Sequence, residues 1–488
     1  AALGQEAPWT SVFSTIHLEL GNELWGAASG GDPFFGASLL GGKRLGKISN
    51  DRFAILRSRP FFDTAKCNLI IGGQNGSTGR QAEIMDESTT HDGIALAPYF
   101  GGLDTWNTPE EMYYPLFARA LATSLTKAYT SKGIIDSYGR GTEMSIYEIN
   151  YHTTGGLAPN SVRDPFVAGA SGALALPLHM MCFQRDLGTN LQCAFTASGF
   201  GFKYDNQNYV RLWGLLRDIE GTRLKRPTWL GLEMVNQGIF GNMVETTHSG
   251  DIPTKTIGAI NGLTVPQTFP VVNSFAYHDG FDHSVVLFNL DLDASHSIVL
   301  EHARTPQSAA TMRQFAPSDI NATNEDAQLL DFATTSINDF GNSYSMTLPS
   351  KSLTVLTWST SAGLTASPAG LVFPDTEILS TADSQITVTN EAMTSGPRDI
   401  VSVNLVSGSP GQFQLLTPLP INGIAPGFGA QLQWRFAPTT NGPKTATYEI
   451  VTTDPDYPII TIVLQGTAIG DDDGDGVPVS LDAFPGNS

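Results

Sequence analysis

The first residues whose types and spacing suit chemistry follow a short apolar run in "STIHLELGNELWG", residues 14–26. Asn22 and Glu23 come directly after this run, and Trp25 stands two positions later. In α/β barrels the functional side chains lie at the carboxyl ends of strands, where loops direct them at a substrate. Glu23 fits that place. The structural alternative is a helix cap, with Glu23 as an acid in the first turn.

A second carboxylate, Glu148, lies inside the apolar segment "SIYEINYH", residues 145–152. Burying a carboxylate among isoleucine and tyrosine side chains is expensive unless the group is paired or used. A structural ion pair is one solution, and a catalytic role is the other. Glu143 competes with Glu148 for that role, but it stands before the strand rather than near its end.

Paired carboxylates can cleave a glycosidic bond. One is held protonated and donates its proton to the leaving oxygen, while the other stays ionised and attacks the anomeric carbon. In retaining enzymes the two groups lie about 5–5.5 Å apart. Asn22 would then hydrogen-bond a sugar hydroxyl, and Trp25 would offer an apolar face to a sugar ring. His17 and Glu19, inside the first strand, are expected to face neighbouring strands or helices.

Elements that could position these residues alternate along the first half of the chain. Short apolar runs at 67–73, 93–99, 145–151 and 191–197 are separated by helical patterns, which favours βαβ units and a parallel sheet. We predict helices over 109–133 and 210–224 from their periodicity and end signals. The apolar stretch 167–183 contains Pro177 and His179 and predicts a buried core helix, not a membrane span.

The second half is patterned as strands. Alternating segments between about 255 and 360 predict an antiparallel β-sandwich, and those between about 365 and 468 predict another all-β module. The linker "STSAGLTASPAG" at 359–370 marks the boundary between them.

Composition excludes some classes of function. The 488 residues carry a net charge of −20, which disfavours binding to nucleic acid and to anionic membranes. The three cysteines, Cys67, Cys182 and Cys193, do not form a disulfide framework and are predicted to be small buried residues. The opening residues "AALGQEAPW" have no features of a signal peptide.

Taken together, these motifs resemble those of the retaining (β/α)8 glycoside hydrolases of clan A. "LELGNELWG" resembles the acid/base motif on their fourth strand, and "SIYEINYH" resembles the nucleophile motif on their seventh. The runs at 67–73, 93–102 and 191–197 then match strands five, six and eight. With the β-sandwich that follows, the chain looks most like family 51, the α-L-arabinofuranosidases and some endoglucanases, with families 39 and 79 close behind.

The resemblance implies specific roles. Glu23 is the acid/base and Glu148 the nucleophile, while Tyr99 lies where the clan places a ring against the nucleophile. His152 could line the pocket. Strands one to three have no counterpart in this chain, so a truncated parent enzyme, or a missing half supplied elsewhere, is expected.

The C-terminal segments resemble accessory modules. "FAPTTNGPKTATYEIVTTDPDYPIITIVLQGTA", residues 436–468, resembles immunoglobulin-like modules of the hydin-like type, which implies a spacer, a protein-interaction role or a sugar-binding role. The predicted domains are a partial barrel at 1–252, an accessory sandwich at 253–362 that supports the barrel or contacts carbohydrate, the immunoglobulin-like module at 363–468, and a tail at 469–488.

The tail sequence "DDDGDGVPVSLD" has the spacing of a calcium loop and resembles a thrombospondin type 3 repeat. A disordered acidic tail is the alternative. Calcium is available outside cells, so we expect a secreted or cell-surface protein. The predicted Ca²⁺ ligands are Asp471, Asp473, Asp475, Val477 and Asp482.

The sequence therefore predicts a retaining glycosidase that acts on a plant or algal polysaccharide by double displacement, without a catalytic cofactor. The rival hypothesis is a non-catalytic extracellular protein that binds carbohydrate or mediates adhesion through a degenerate barrel. Turnover of a glycoside distinguishes the two.

Overall fold

The structure is a computed structural model, and it describes residues 9–25, 41–123, 126–152, 156–203, 209–302, 306–360, 363–391 and 396–470. The chain divides into two compact units. One comprises Ala1–Ile298, Thr311–Ser336 and Ser345–Thr357, and the other comprises Val299–Ala310, Ile337–Tyr344 and Trp358–Ser488. The four predicted domains divide the chain more finely and stay a prediction. The predicted calcium ligands of the tail lie outside the described residues.

A half-barrel sheet of five parallel strands forms the α/β part of the first unit. Its strands follow one another in chain order across the sheet. They are β1 Ile16–Glu19, β2 Cys67–Gly72, β3 Gly93–Leu96, β4 Glu143–Ile149 and β5 Gln192–Ala194. The apolar runs of the sequence become these strands because β2 and β3 are buried at nearly every position, as expected for a covered parallel sheet.

Helices connect and cover these strands. In chain order they are α1 Trp9–Val12, α2 Gly42–Arg57, α3 Gly79–Glu87, α4 Pro109–Ala118, α5 Thr126–Ser137, α6 Asn160–Val167, α7 Gly172–Leu187 and α8 Pro227–Asn236. A short π-helix, Arg119–Thr123, follows α4. The Thr108 hydroxyl caps α4 by accepting from Glu111 N, with Pro109 in the first turn. The apolar stretch predicted as a core helix is the buried α7, which ends at Gly188 with φ of 65°.

The predicted helix over 210–224 is wrong. Strand β7, Tyr209–Leu212, pairs with β6, Phe200–Lys203, and the chain then turns. Gly214 has φ of +104°, and a side chain there would collide with the backbone of Gly199. The backbone N–H groups of Leu215 and Leu216 donate to the segment after β5 rather than to a helical turn. Tertiary pairing therefore overrides the helical pattern.

Antiparallel strands follow the α/β part. They are β8 Asn242–Val244, β9 Thr254–Ile257, β10 Gln267–Pro270, β11 Val272–Asp279, β12 Asp282–Asn289, β13 His296–Glu301, β14 Pro306–Phe315, β15 Ala333–Ile337, β16 Ser343–Leu348 and β17 Ser352–Thr360. Six of them form one sheet in the order β15-β14-β17-β12-β11-β8, and β9–β10 and β13–β16 form two-stranded sheets.

The second unit contains two further sheets around one core. Its strands are β18 Leu364–Ser367, β19 Gly370–Val372, β20 Thr376–Glu377, β21 Ala382–Asn390, β22 Arg398–Gly408, β23 Phe413–Leu415, β24 Ile421–Ile424, β25 Gly429–Phe436, β26 Gly442–Thr452 and β27 Ile459–Ile469. The sheet orders are β18-β21-β25-β23 and β19-β27-β26-β22-β24, with β20 beside β27. Alternate residues of both sheets, with Trp434 fully buried, form the core. The immunoglobulin-like assignment stays a prediction.

Two of the predicted buried cysteines, Cys67 and Cys182, are buried, but Cys193 is exposed. Cys193 belongs to β5, a three-residue strand at the end of the sheet order, so one side of it has no neighbouring strand among the described residues. Within the described part of the chain, no helix combines the length and apolar character needed to cross a membrane.

Candidate active site

The carboxyl ends of the parallel strands bring several acidic and aromatic side chains together. Glu19 is the last residue of β1, and Glu23 follows after a turn in which Gly21 has φ of 71°. Glu23 itself has φ of 44°, a left-handed conformation that side chains rarely adopt and that is often found at functional sites. Glu148 comes from the end of β4, and Tyr99 follows β3.

Two tyrosine hydroxyls hold the predicted catalytic glutamates. Tyr99 Oη donates to Glu148 Oε2 at 2.6 Å, and Tyr147 Oη donates to Glu23 Oε1 at 2.8 Å. In a regular strand, consecutive residues such as Tyr147 and Glu148 point to opposite faces. Here the register of β4 against β5 shifts between Ile146 and Ile149. Such an irregularity changes the direction of side chains, so both residues can face the acidic cluster.

An aromatic group fixes the Tyr99 ring. Trp213 stacks on Tyr99 with ring centroids 5.4 Å apart, and Phe195 packs edge-on against both rings. The indole N–H of Trp213 donates to the backbone oxygen of Tyr151. The donor to Glu148 is therefore itself held in place, as pre-organised catalytic groups require.

The glutamates act on one another electrostatically. Burial raises the pKa of Glu148, and the charge of Glu23 raises it further, while the hydrogen bond from Tyr99 opposes the shift. The pKa of Glu19 is raised to about 7, first by burial and then by the charges of Glu148 and Glu23. Part of the Glu19 side chain is exposed to solvent, yet the carboxyl group lies among enough protein atoms to favour its neutral form.

Trp25 lies at the same edge of the sheet. A Cβ at Gly72, the last residue of β2, would lie 3.2 Å from the Trp25 ring and 2.9 Å from Glu19 Oε1. The indole and the Glu19 carboxyl therefore both cover this glycine. The guanidinium of Arg80, from α3, lies 5.9 Å from the centroid of the Trp25 ring.

The remaining predicted site residues are less enclosed. Asn22 is exposed beside Glu23. His152, also exposed, lies beyond the end of β4; its pKa is lowered by burial first and then by the charges of Arg119 and Arg163, which are not part of the acidic cluster. The structure thus brings Glu23, Glu148, Tyr99 and Trp25 together and does not place His152 against the glutamates.

Glu143, the competitor of Glu148, begins β4 and lies at the opposite edge of the sheet. Its side chain is exposed, and its Oε2 accepts from Asn68 Nδ2 at 3.2 Å. Of these two carboxylates, only Glu148 is therefore at the carboxyl end of the strand.

Sequence reasoning missed three residues of this site: Glu19, Tyr147 and Trp213. Tyr147 is adjacent to Glu148 in the quoted motif. A tyrosine hydroxyl within an apolar strand was a usable signal. Glu19 is an acidic residue at the end of a short strand, which was the same kind of signal. Trp213 gave none, because its segment was patterned as a helix.

The fold resembles that of family 51 arabinofuranosidases. The GH51 arabinofuranosidase of Xanthomonas axonopodis pv. citri matches with a TM-score of 0.54 at 16% identity, over 73% of this chain and 68% of that one. The α-L-arabinofuranosidase of Thermotoga maritima, solved with arabinose, matches with a TM-score of 0.51 at 15% identity, over 70% of this chain.

A third match, the family 51 α-L-arabinofuranosidase of Bifidobacterium longum, has a TM-score of 0.51 at 12% identity, over 70% of this chain and 66% of that one. This chain spans 65% of the length of the Thermotoga maritima enzyme. No family model and no curated protein matches the sequence. At these identities the comparisons show a glycoside hydrolase-like fold.

Proposed function

We propose that this chain carries the active site of a retaining glycoside hydrolase. The observation that supports it most directly is the pair Glu23 and Glu148, each held by a tyrosine hydroxyl and each within electrostatic range of the other. Pairs of carboxyl groups that perturb one another at the end of a parallel sheet are typical of catalytic sites. The fold similarity to glycoside hydrolases supports the same conclusion.

In this proposal Glu148 is the nucleophile. Its ionised oxygen attacks the anomeric carbon and forms a glycosyl ester, while the bond from that carbon to the leaving oxygen breaks. Tyr99 favours the reactive form because its hydroxyl stabilises the carboxylate of Glu148.

Glu23 is the acid and then the base. It donates its proton to the leaving oxygen in the first step, and in the second step it takes a proton from the water that attacks the glycosyl ester. The Tyr147 hydroxyl donates to one oxygen of Glu23 and so helps to fix the orientation of this carboxyl group. A protonated Glu23 also removes the like charge that opposes ionisation of Glu148, so the two roles are mutually consistent.

The substrate is proposed to be a polysaccharide or an oligosaccharide from it, with arabinofuranosidase-like or endoglucanase-like specificity. Trp25 would pack against a sugar ring, and Asn22 would hydrogen-bond a hydroxyl near the reacting carbon. The structural neighbours include α-L-arabinofuranosidases. An extracellular location and a Ca²⁺ ion held by the tail also belong to this proposal, and they rest on the sequence of residues 471–482.

Turnover of aryl glycosides by the full-length gene product tests the proposal. Glu148→Ala should lower kcat on the order of 10⁴-fold or more, because the variant lacks the carboxylate that forms the glycosyl ester. Azide should restore turnover in that variant by attacking in place of the carboxylate. Glu23→Ala should retain activity on aryl groups that leave easily and lose it on poor leaving groups.

Glu143→Ala is the matched control, since this glutamate lies on the same strand but at its other end. It should turn over substrate at the wild-type rate. Full activity of Glu148→Ala would show that the nucleophile is misassigned. If the wild-type protein binds polysaccharide but hydrolyses no glycoside, the carbohydrate-binding hypothesis replaces the enzyme.

A further inference from the structure

A buried arginine holds the short segment of chain that carries Trp213. Arg226, directly before α8, is 2% exposed. Its Nη1 donates to the backbone oxygen of Trp213 and, at 3.3 Å, to that of Gly214. Its backbone N–H donates to the oxygen of Leu215 at 3.0 Å. One residue, to which the proposed chemistry gives no role, therefore binds three consecutive carbonyl groups.

An acidic residue from the antiparallel part of the first unit orients this guanidinium. Glu325 lies between β14 and β15, and its side chain is 10% exposed. Its Oε1 accepts from Arg226 Nε at 2.7 Å, and its Oε2 accepts from Arg226 Nη2 at 3.2 Å. Two parallel bonds between a planar guanidinium and a carboxylate fix the plane of the guanidinium. The third nitrogen, Nη1, is thereby directed at the carbonyl groups of the Trp213 segment.

The loop that supplies Glu325 is itself bound to the segment before α8. Asn324 is fully buried, and its Oδ1 accepts from two backbone N–H groups of its own loop, at 2.9 and 2.7 Å. Its Nδ2 donates at 2.7 Å to the backbone oxygen of Lys225. The carboxylate of Glu325 and the guanidinium of Arg226 are therefore presented to one another by backbones that are already joined.

Trp213 connects this ion pair to the proposed nucleophile. Its indole stacks on the Tyr99 ring, with centroids 5.4 Å apart and an angle of 29° between the planes, and its N–H donates to the backbone oxygen of Tyr151. Tyr99 Oη in turn donates to Glu148 Oε2 at 2.6 Å. Hydrogen bonds and one ring stack thus lead without a break from Glu325 to Glu148.

We propose that Arg226, paired with Glu325, is a positioning residue that holds Trp213 so that the Tyr99 hydroxyl stays on the nucleophile. The inference rests on the proposed function, since it concerns the same reaction. Misplacing a pre-organised group by a fraction of an ångström to one ångström lowers the rate of a reaction even when the group itself is intact. The part of the chain predicted as an accessory sandwich thereby contributes one residue to the alignment of the active site.

The first experiment measures kcat and KM of Arg226→Lys on an aryl glycoside. Lysine keeps the positive charge but cannot bond Glu325 and the Trp213 carbonyl through one rigid fork. Glu325 keeps a cation in this variant, because Arg217 Nε lies 3.3 Å from its Oε2. We expect kcat to fall roughly 10-fold and KM to stay nearly unchanged.

Arg57→Lys is the matched control. Arg57 also donates to a carboxylate and to a backbone carbonyl, those of Asp92 at 2.6 Å and Thr90 at 3.0 Å. Both partners precede β3, so this ion pair lies at the amino ends of the strands, away from the site. Arg57→Lys should retain the wild-type kcat.

A double-mutant cycle distinguishes positioning from a purely structural role. Tyr99→Phe removes the hydroxyl through which Arg226 is proposed to act. In the Tyr99→Phe background, Arg226→Lys should therefore lower kcat by no more than about two-fold. A structural role would give the same loss in both backgrounds, and equal losses overturn the proposal.

The second experiment does not depend on turnover. Protein labelled with nitrogen-15 at the tryptophan indoles should show one N–H signal that is missing in Trp213→Phe and so belongs to Trp213. In Arg226→Lys this signal should move, and its proton should exchange faster with solvent, because the bond to the Tyr151 oxygen is loosened. It should stay in place in Arg57→Lys. A Trp213 signal that does not respond to Arg226→Lys overturns the proposal.

The two experiments separate this proposal from the proposed function. A Trp213 signal that responds, in a protein that hydrolyses no glycoside, supports the anchoring of Trp213 and rejects the enzyme. Turnover with equal losses in both backgrounds supports the enzyme and rejects positioning by Arg226. If Arg226→Lys does not fold, Glu325→Gln is the second variant, since it keeps the shape of the side chain and one acceptor oxygen. It should move the same indole signal and cause a smaller loss of kcat that again disappears with Tyr99→Phe; an equal loss in both backgrounds overturns the proposal.

Discussion

Two carboxylates of this protein, Asp454 and Glu19, have opposite surroundings. Asp454, in the second unit, is 2% exposed, and its Oδ2 accepts from Leu364 N at 2.9 Å while its Oδ1 accepts from Asp456 N at 3.0 Å. Arg398 Nε lies 3.7 Å from its Oδ2. Glu19, in the first unit, ends a strand where the charges that act on it belong to two other glutamates.

The difference shows which carboxylate stabilises its fold. Backbone N–H donors and the nearby guanidinium of Arg398 hold the side chain of Asp454, so this carboxylate fixes the turn between β26 and β27. Like charges and burial favour the neutral form of Glu19, so the folded state becomes less stable when this group ionises. An arrangement that lowers stability persists where the same perturbation serves reactivity.

The largest effect is expected on the stability of the second unit, when Asp454 is removed. Asp454→Ala leaves the N–H groups of Leu364, Asp456 and Tyr457 without their acceptor and removes the partner of Arg398. We expect a loss of about 3–5 kcal/mol in the free energy of unfolding of the second unit. Urea denaturation followed by tryptophan emission measures this loss, since Trp434 lies in the core of that unit.

Asp383→Ala is the control for Asp454→Ala. Asp383 also pairs with an arginine, Arg435 at 2.7 Å, but both side chains are largely exposed. Its removal should leave the denaturation midpoint nearly unchanged. Equal midpoints for the two variants would show that burial does not distinguish these carboxylates.

The features that the sequence predicted are those that depend on the local pattern of apolar and acidic residues. Apolar runs such as "CNLIIGG" became the parallel strands, because a sheet covered on both faces needs them. The motif around Glu23 and Glu148 identified two acidic residues that the structure does bring together. Tyr99 was also singled out from the sequence, and its hydroxyl donates to Glu148.

What the sequence did not predict depends on contacts between distant segments. The irregular register of β4, which lets Tyr147 and Glu148 reach one cluster, results from pairing with β5. Trp213 joins the site because residues 215 and 216 pair with the segment after β5, against the helical pattern of 210–224. Glu19 was expected to face neighbouring strands or helices. The space above Gly72 that its carboxyl group occupies cannot be inferred from the spacing of residues along the chain.

A smaller effect is expected at the hydrogen bond that holds the proposed nucleophile. Tyr99→Phe removes the donor to Glu148 but keeps the ring that stacks on Trp213. A hydrogen bond to a charged group contributes about 1.5–3 kcal/mol, so kcat/KM should fall roughly 10- to 100-fold. Because that bond lowers the pKa of Glu148, its loss should also move the acidic limb of the pH profile to higher pH.

Tyr138→Phe is the matched variant for this test. Tyr138 Oη donates to Asp86 Oδ1 at 2.7 Å, a bond of the same kind at an exposed position outside the cluster. Loss of this hydrogen bond should change neither the acidic nor the alkaline limb of the pH profile. An acidic limb that stays in place in Tyr99→Phe would mean that Glu148 does not titrate in the rate-determining step.

The smallest expected effect concerns the stability of the acidic cluster itself. The pKa of Glu19 rises from 4.5 to about 7 on folding, so between these pH values the unfolded chain releases a proton that the folded protein keeps. The contribution of Glu19 therefore becomes unfavourable as pH rises through this window, and it is absent below pH 4.5. Glu19→Gln should thus be more stable than the wild type at pH 8 and equally stable at pH 4.

The shift corresponds to about 3 kcal/mol, and because part of Glu19 is exposed we discount this to about 1 kcal/mol at pH 8. Urea denaturation of both proteins at a series of pH values measures the difference. Glu143→Gln, at the other end of β4, should follow the wild type at every pH. Parallel curves for Glu19→Gln and the wild type would show that ionisation of Glu19 does not change the stability of the fold. A gap that opens only above pH 4.5 would show that ionised Glu19 lowers stability, first through its burial and then through repulsion by Glu148 and Glu23.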